Sequence, residues 1–160
     1  MAAGPMTAGG CMRKKRAKHH QMDIPSTQNQ LRKVVDFVEG LAQQAGFSEE
    51  TIVDIAISVS EAVNNAILHG NKNDPRKKVH ILAETSENVI VLKIRDEGQG
   101  FAPVTVCDPR DPDNLMKCTG RGILIQKTLM DEVNFRIAPG GGTEVELIKR
   151  LPAAKAKRKK

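Results

Sequence analysis

Apolar residues in this chain recur at two spacings, and the spacings alternate in a simple order. From Gln28 to Ala45, Leu31, Val34, Val35, Val38, Leu41, Ala42 and Ala45 return every three or four positions, which predicts one face of a helix. Gly46 fits its C-terminal stop. Ser48 is placed to cap a second helix, with Glu49 and Glu50 in the first turn near its positive end. That helix runs to about Leu68 on a stripe of Ile52, Ile55, Ala56, Val59, Val63, Ala66 and Ile67, and Gly70 ends it. Strands are expected from His19 to Ile24, from Lys78 to Glu84 and from Val89 to Arg95, the last two joined by a turn at Glu87 and Asn88. A third, shorter helix fits Gly122 to Met130. Glu132 to Ala138 and Thr143 to Leu151 then pair as a hairpin. The order β-α-α-β-β-loop-α-β-β reads as α+β, with helices on one face of a mostly antiparallel, mixed sheet. Clustered hairpins argue against a doubly wound parallel sheet.

Composition sharpens this picture in three places. With four Phe, no Tyr and no Trp, the core has to be aliphatic. The three cysteines, Cys11, Cys107 and Cys118, make no disulfide scaffold, so a reducing, cytoplasmic setting is the simpler expectation. No run approaches the length of a bilayer span, and the first twenty residues do not read as a secretory signal. The net charge of +6 is unevenly placed: Arg13 to Lys18 and Lys155 to Lys160 carry five positive charges each, leaving −4 for the rest. We therefore divide the chain into a basic tail (1–18), one domain (19–151) and a second basic tail (152–160). Basic tails can hold phosphate backbones. They also serve simply as solubilising ends, and no aromatic residues are interleaved for base stacking.

Chemistry concentrates on three segments. Near its end the second helix carries Glu61, Asn64, Asn65 and His69, and Glu61, Asn65 and His69 share a face at intervals of four. Read structurally, these are local hydrogen bonds near a helix terminus. Read chemically, Asn gives a neutral oxygen to a hard cation and Glu a base. Asp96-Glu-Gly98-Gln-Gly100-Phe101 follows a strand, where a carboxylate can accept from an amino group and glycines let backbone approach a ligand. Turns use the same residues. Gly120-Arg121-Gly122 opens the third helix, whose free N–H groups and guanidinium suit phosphate. GxxxxGK[ST] and GxGxxG are both absent. The GGGT before the last strand is either a plain hairpin turn or places the Thr143 hydroxyl against a ligand.

Together these segments resemble the GHKL nucleotide-binding superfamily. Glu61-Ala-Val-Asn-Asn65-Ala-Ile-Leu-His69-Gly70 is similar to its N box, Asp96 to Phe101 to its first glycine box, and Gly120-Arg121-Gly122-Ile123 to its second. Leu129 to Val133 and Gly141-Gly142-Thr143 complete the series. The resemblance is closest to the bacterial anti-sigma-factor serine kinases and covers about residues 20–150. It implies a Bergerat-type two-layer sandwich that binds ATP and magnesium. By that resemblance Asn65 coordinates magnesium, and Glu61 is a general base toward a protein serine hydroxyl. Asp96 reads the adenine amino group, and Gly98 and Gly100 shape its pocket. Residues 102–119 form a lid, Gly120, Arg121 and Gly122 hold phosphates, and Thr143 supports the base-binding end. A STAS-type anti-sigma antagonist, a sigma factor and a second copy of the chain are the implied partners, with no membrane. Two other readings stay open: a nucleotide-gated protein-binding module with little or no kinase activity, and a nucleic-acid-associated protein acting through its tails.

Overall fold

The computed structural model describes residues 17–100 and 119–152. The basic runs at the two ends apart from Lys18, nearly all of the expected lid and the three cysteines lie outside those residues. Strand β1 spans Lys18–Pro25 and is followed by a short 3-10 turn, Gln28–Gln30. Helix α1 is Leu31–Gln44 and α2 is Glu49–Asn65, continued by a single π turn at Ala66–Gly70. Strands β2 (Lys78–Thr85) and β3 (Val89–Arg95) form a hairpin. Helix α3 is Thr119–Leu129, and β4 (Glu132–Ile137) and β5 (Thr143–Arg150) close the order.

The ends of the helices follow from local chemistry. Gly46, at φ +88°, donates to Gln43 O (3.0 Å) and Phe47 N donates to Ala42 O (3.1 Å), a Schellman stop for α1. The Ser48 side chain accepts from Thr51 N at 3.3 Å and caps α2. Three boundaries differ from the sequence expectation. The turn Gln28–Gln30 is 3-10 rather than α. The second helix changes from α to π at Ala66, where Asn71 N reaches Ala66 O at 2.8 Å. Helix α3 begins at Thr119, so Gly120 and Gly122 lie inside its first turns. Weak helix formers hold there because α3 packs on α2.

The five described strands pair antiparallel throughout, in the order β1-β2-β3-β5-β4. The hairpin β2–β3 and the strand β5 put alternate residues on one face: Val79, Ile81 and Ala83, then Ile90, Leu92 and Ile94, then Val145 and Leu147, all buried. They pack against Val34 and Val38 of α1 and Ile55, Val59 and Val63 of α2. The layer is thus aliphatic, with Phe47 its one buried phenyl ring among the described residues. The opposite face is polar: Lys93 Nζ lies 3.3 Å from Glu84 and 3.8 Å from Glu146. One solvated face is usual for an antiparallel sheet covered on its other side. Glu49–Gly70 is 22 residues long with a mean hydropathy of 1.3, enough by length and composition to cross a bilayer. Here its apolar stripe is the centre of the helix layer.

Candidate functional site

The polar end of α2 meets the ends of β3 and β5. Asp96 follows the last residue of β3, and its backbone N–H donates to Thr143 O at 3.0 Å. Its side chain is 4% exposed. Oδ1 accepts from Gly98 N (2.8 Å) and Thr143 N (3.1 Å), so that oxygen is committed to the local frame. Oδ2 has no hydrogen-bond partner among the described residues and lies against Gly70. A Cβ at Gly70 would sit 2.4 Å from it. Gly142, at φ +87°, comes equally close from the other side, since a Cβ there would fall 2.0 Å from Asp96 O. Residues without side chains at 70 and 142 let three chain segments converge on one carboxylate.

These segments surround a cavity of about 230 Å³. Asn65, His69, Gly70, Asp96 and Thr143 supply its polar rim, and Ile123, Phe135 and Val145 its apolar wall. Asn65 and Asp96, 31 positions apart in sequence, therefore open on one space. Glu61 lies one turn back along α2, where α3 begins. A Cβ on Gly122 would stand 2.7 Å from its Oε2 and 3.5 Å from Asn65 Nδ2. Gly120 and Arg121 share that first turn of α3, with Arg121 exposed. Gly98 is in the turn beside Asp96. Gly100 lines a neighbouring pocket of about 220 Å³ that shares His69, Gly70 and Thr143 with the first.

The turn after Asp96 is tied down by residues that the sequence marks only as loop or strand. Asn71 is 1% exposed. Its Nδ2 donates to Ser26 Oγ (2.6 Å) and Lys78 O (2.8 Å), and its Oδ1 accepts from Glu97 N (2.8 Å). The Glu97 carboxylate accepts from Lys78 N (2.9 Å) and lies 3.0 Å from His80 Nε2. His80 Nδ1 is 3.0 Å from Asp23 Oδ1. The Lys78 N–H, and after it the His80 ring, hold the Glu97 carboxyl below its ordinary range. The His80 hydrogen bond does the same for Asp23. Asn71, His80 and Phe135 are the contributors that sequence reasoning missed. Alternation of apolar residues along β4 and β5 would have placed Phe135 and Val145 on the inner face. Nothing local signals Asn71.

Residues 24–149 match the histidine kinase-like ATPase domain. The chain belongs to that family. Within it, the chain is homologous to the anti-sigma F factors. It is 39% identical over 111 residues to the one from Anoxybacillus flavithermus and 33% identical over 111 residues to the one from Bacillus subtilis. Each alignment covers 67% of this chain and 75% of the relative. In fold it is similar to the crystal structure of the RsbU and RsbW domains of a Mycobacterium tuberculosis protein, with a TM-score of 0.61 and 21% identity. That likeness covers 84% of this chain and 32% of the longer one. This homology supports a kinase-type ATPase activity, and a histidine kinase-like ATPase domain implies ATP and magnesium in general.

The donor set fits that pair of ligands. No group of three His, Cys, Asp or Glu gathers among the described residues. Magnesium does not require one, because it keeps several waters and takes few protein ligands. The Asn65 amide is a hard oxygen donor, the Glu61 carboxylate one turn back is a base beside it, and Asp96 Oδ2 is an acceptor of the kind that a base amino group requires.

Proposed function

We propose that this chain is an ATP-dependent protein kinase that phosphorylates a serine or threonine of a STAS-type antagonist and binds and inhibits a sigma factor. The observation that carries this reading is the shared cavity, with Asp96 at one end and Asn65, next to Glu61, at the other. Homology to anti-sigma F factors supports both the reaction and the partners. A reducing, cytoplasmic setting and a homodimer belong to the same reading. Nucleic-acid contact through the tails is its minor alternative.

The base end works by complementarity. Asp96 Oδ2 accepts from an exocyclic amino group. Oδ1 cannot turn away, because two backbone N–H groups hold it. Ile123, Phe135 and Val145 offer apolar surface to a planar ring. Thr143 and the Gly98 turn fix the carboxylate's angle. Gly98 and Gly100 leave room for close backbone approach.

The phosphate end works by position and charge. Asn65 offers its amide oxygen to the metal, and Gly120, Arg121 and Gly122 at the N-terminus of α3 offer N–H groups and a guanidinium to phosphate oxygens. Magnesium, when bound, neutralises charge on the transferring phosphoryl group. Glu61, one turn from Asn65, takes the proton from the attacking hydroxyl as the hydroxyl oxygen bonds to the γ-phosphorus and the bond from that phosphorus to the β,γ-bridging oxygen breaks, releasing ADP. The glycine at 122 keeps that carboxylate uncovered.

Transfer of radiolabelled phosphate from ATP to a cognate STAS protein is the test. Wild-type protein labels the serine or threonine. Glu61→Ala lowers transfer by about a hundredfold or more while keeping ATP affinity. Equal transfer by Glu61→Ala would remove the base assignment. Failure of the wild type to label any STAS partner would remove the kinase reading.

A further inference from the structure

Glu97 sits next to the carboxylate at the base end of the cavity, yet its own side chain turns to the outer sheet face. There it meets His80 of β2, whose neighbours Val79 and Ile81 point into the core. The ring lies between two carboxylates, with Nδ1 3.0 Å from Asp23 Oδ1 and Nε2 3.0 Å from Glu97 Oε1. Both ring nitrogens are donors only in the imidazolium. A neutral ring leaves one lone pair facing a carboxylate. The other charged groups around it are Lys78, two residues earlier on the same face of β2, and Arg95, directly opposite on β3. Arg95 is drawn away, donating from Nη2 to Pro139 O at 3.1 Å. The carboxylates are the charged groups in hydrogen-bond contact with the ring.

We propose that the His80 imidazolium is a positioning residue for nucleotide binding: it clamps Glu97 between β1 and β2 and so holds the Asp96–Gly98 turn in its binding geometry. The inference rests on the nucleotide reading of the cavity. Asn71 and the Lys78 N–H hold the same turn without titrating near neutrality. The two-sided His80 bridge is the part that depends on a ring proton, since a neutral ring donates to only one of the two carboxylates. Binding of ATP to this protein therefore weakens when the ring loses its second proton or is replaced.

Two substitutions separate this role from simple packing, because they have opposite effects. His80→Gln keeps a polar side chain but can donate to only one carboxylate. Asp23→Asn presents an amide N–H to Nδ1, so a neutral ring keeps its proton on Nε2 and still donates to Glu97. Calorimetric titration of magnesium and ATP into each protein, from about pH 6 to about pH 9, reads the outcome. Wild-type affinity falls about fivefold to tenfold across that range. His80→Gln binds at the weaker level throughout. Asp23→Asn stays at the tighter level throughout. His69, which lines the cavity, is common to all three proteins, so only the differences among them are read. Wild-type binding whose pH slope equals that of His80→Gln overturns the inference and leaves the nucleotide site intact. No ATP binding by folded wild type at any pH overturns the nucleotide site and the inference together.

Discussion

Asp96 was identifiable from its place at a strand end before two glycines. The division of labour between its oxygens was not, because it depends on Thr143, 47 residues away. Gly142 illustrates the same limit. Three consecutive glycines read as a turn, and only the packed structure presses one of them onto Asp96 O. Gly122 is a more informative glycine to change. Its missing side chain faces the flexible end of Glu61 rather than backbone. Gly122→Ala gains about 1 kcal/mol of helix propensity, so its melting temperature should hold or rise. The new methyl group displaces the Glu61 carboxylate, and phosphate transfer should fall by about tenfold or more. Thermal melts and a transfer assay on the same preparation check both halves. A variant with lower stability and normal transfer would assign Gly122 to packing.

Helices α1 and α2 were readable from periodicity and caps, because a three-to-four spacing over about four turns leaves few other ways to bury the residues. The π turn at Ala66–Gly70 was not readable. It is set by Asn71, which joins the end of α2 to Ser26, Lys78 and Glu97, contacts that span 45, 7 and 26 positions. In sequence, NKND has the composition of an ordinary loop. The structure makes it the brace of the site, with Lys72 and Asn73 at positive φ just beyond. Asn71→Ala leaves the Glu97 N–H and the Lys78 carbonyl without their partner. We expect a loss of about 2–3 kcal/mol in chemical denaturation. Faster hydrogen exchange at the Glu97 amide should accompany it. Unchanged exchange at that amide would show that Asn71 does not brace the turn. Asp131 and Glu132 make structural contacts at the start of β4: Asp131 Oδ2 accepts from Arg150 N at 2.6 Å, and Glu132 pairs with the Arg150 guanidinium.

The arrangement of the whole domain was the most legible level, since hairpins and a helix pair leave few ways to build two layers. The strand order β1-β2-β3-β5-β4 required the structure. It puts the turn that follows β3 and the loop that precedes β5 beside the end of α2, and this is why a cavity forms there. The carboxylates of the fold also set its acid limit. Asp23 and Glu97 are held below their ordinary range. Asp74, hydrogen-bonded by Arg76, is lowered to about 2. Depressed carboxyls stabilise the fold above the ordinary carboxylate range, and that contribution is lost as pH falls through the lowered values. Melting temperature should therefore decline below about pH 4, as a pH series of thermal melts would record. A flat profile there would contradict the ion-pair assignments. The most direct measurement is calorimetric titration of ATP with magnesium into wild type and Asp96→Asn. The amide can still accept from Gly98 and Thr143 but puts a donor in place of Oδ2. Wild type should bind saturably at or below about 1 mM ATP, and Asp96→Asn at least about tenfold more weakly with an unchanged melt. Equal affinities, or no binding by folded wild type, would contradict a nucleotide cavity shared by Asn65 and Asp96.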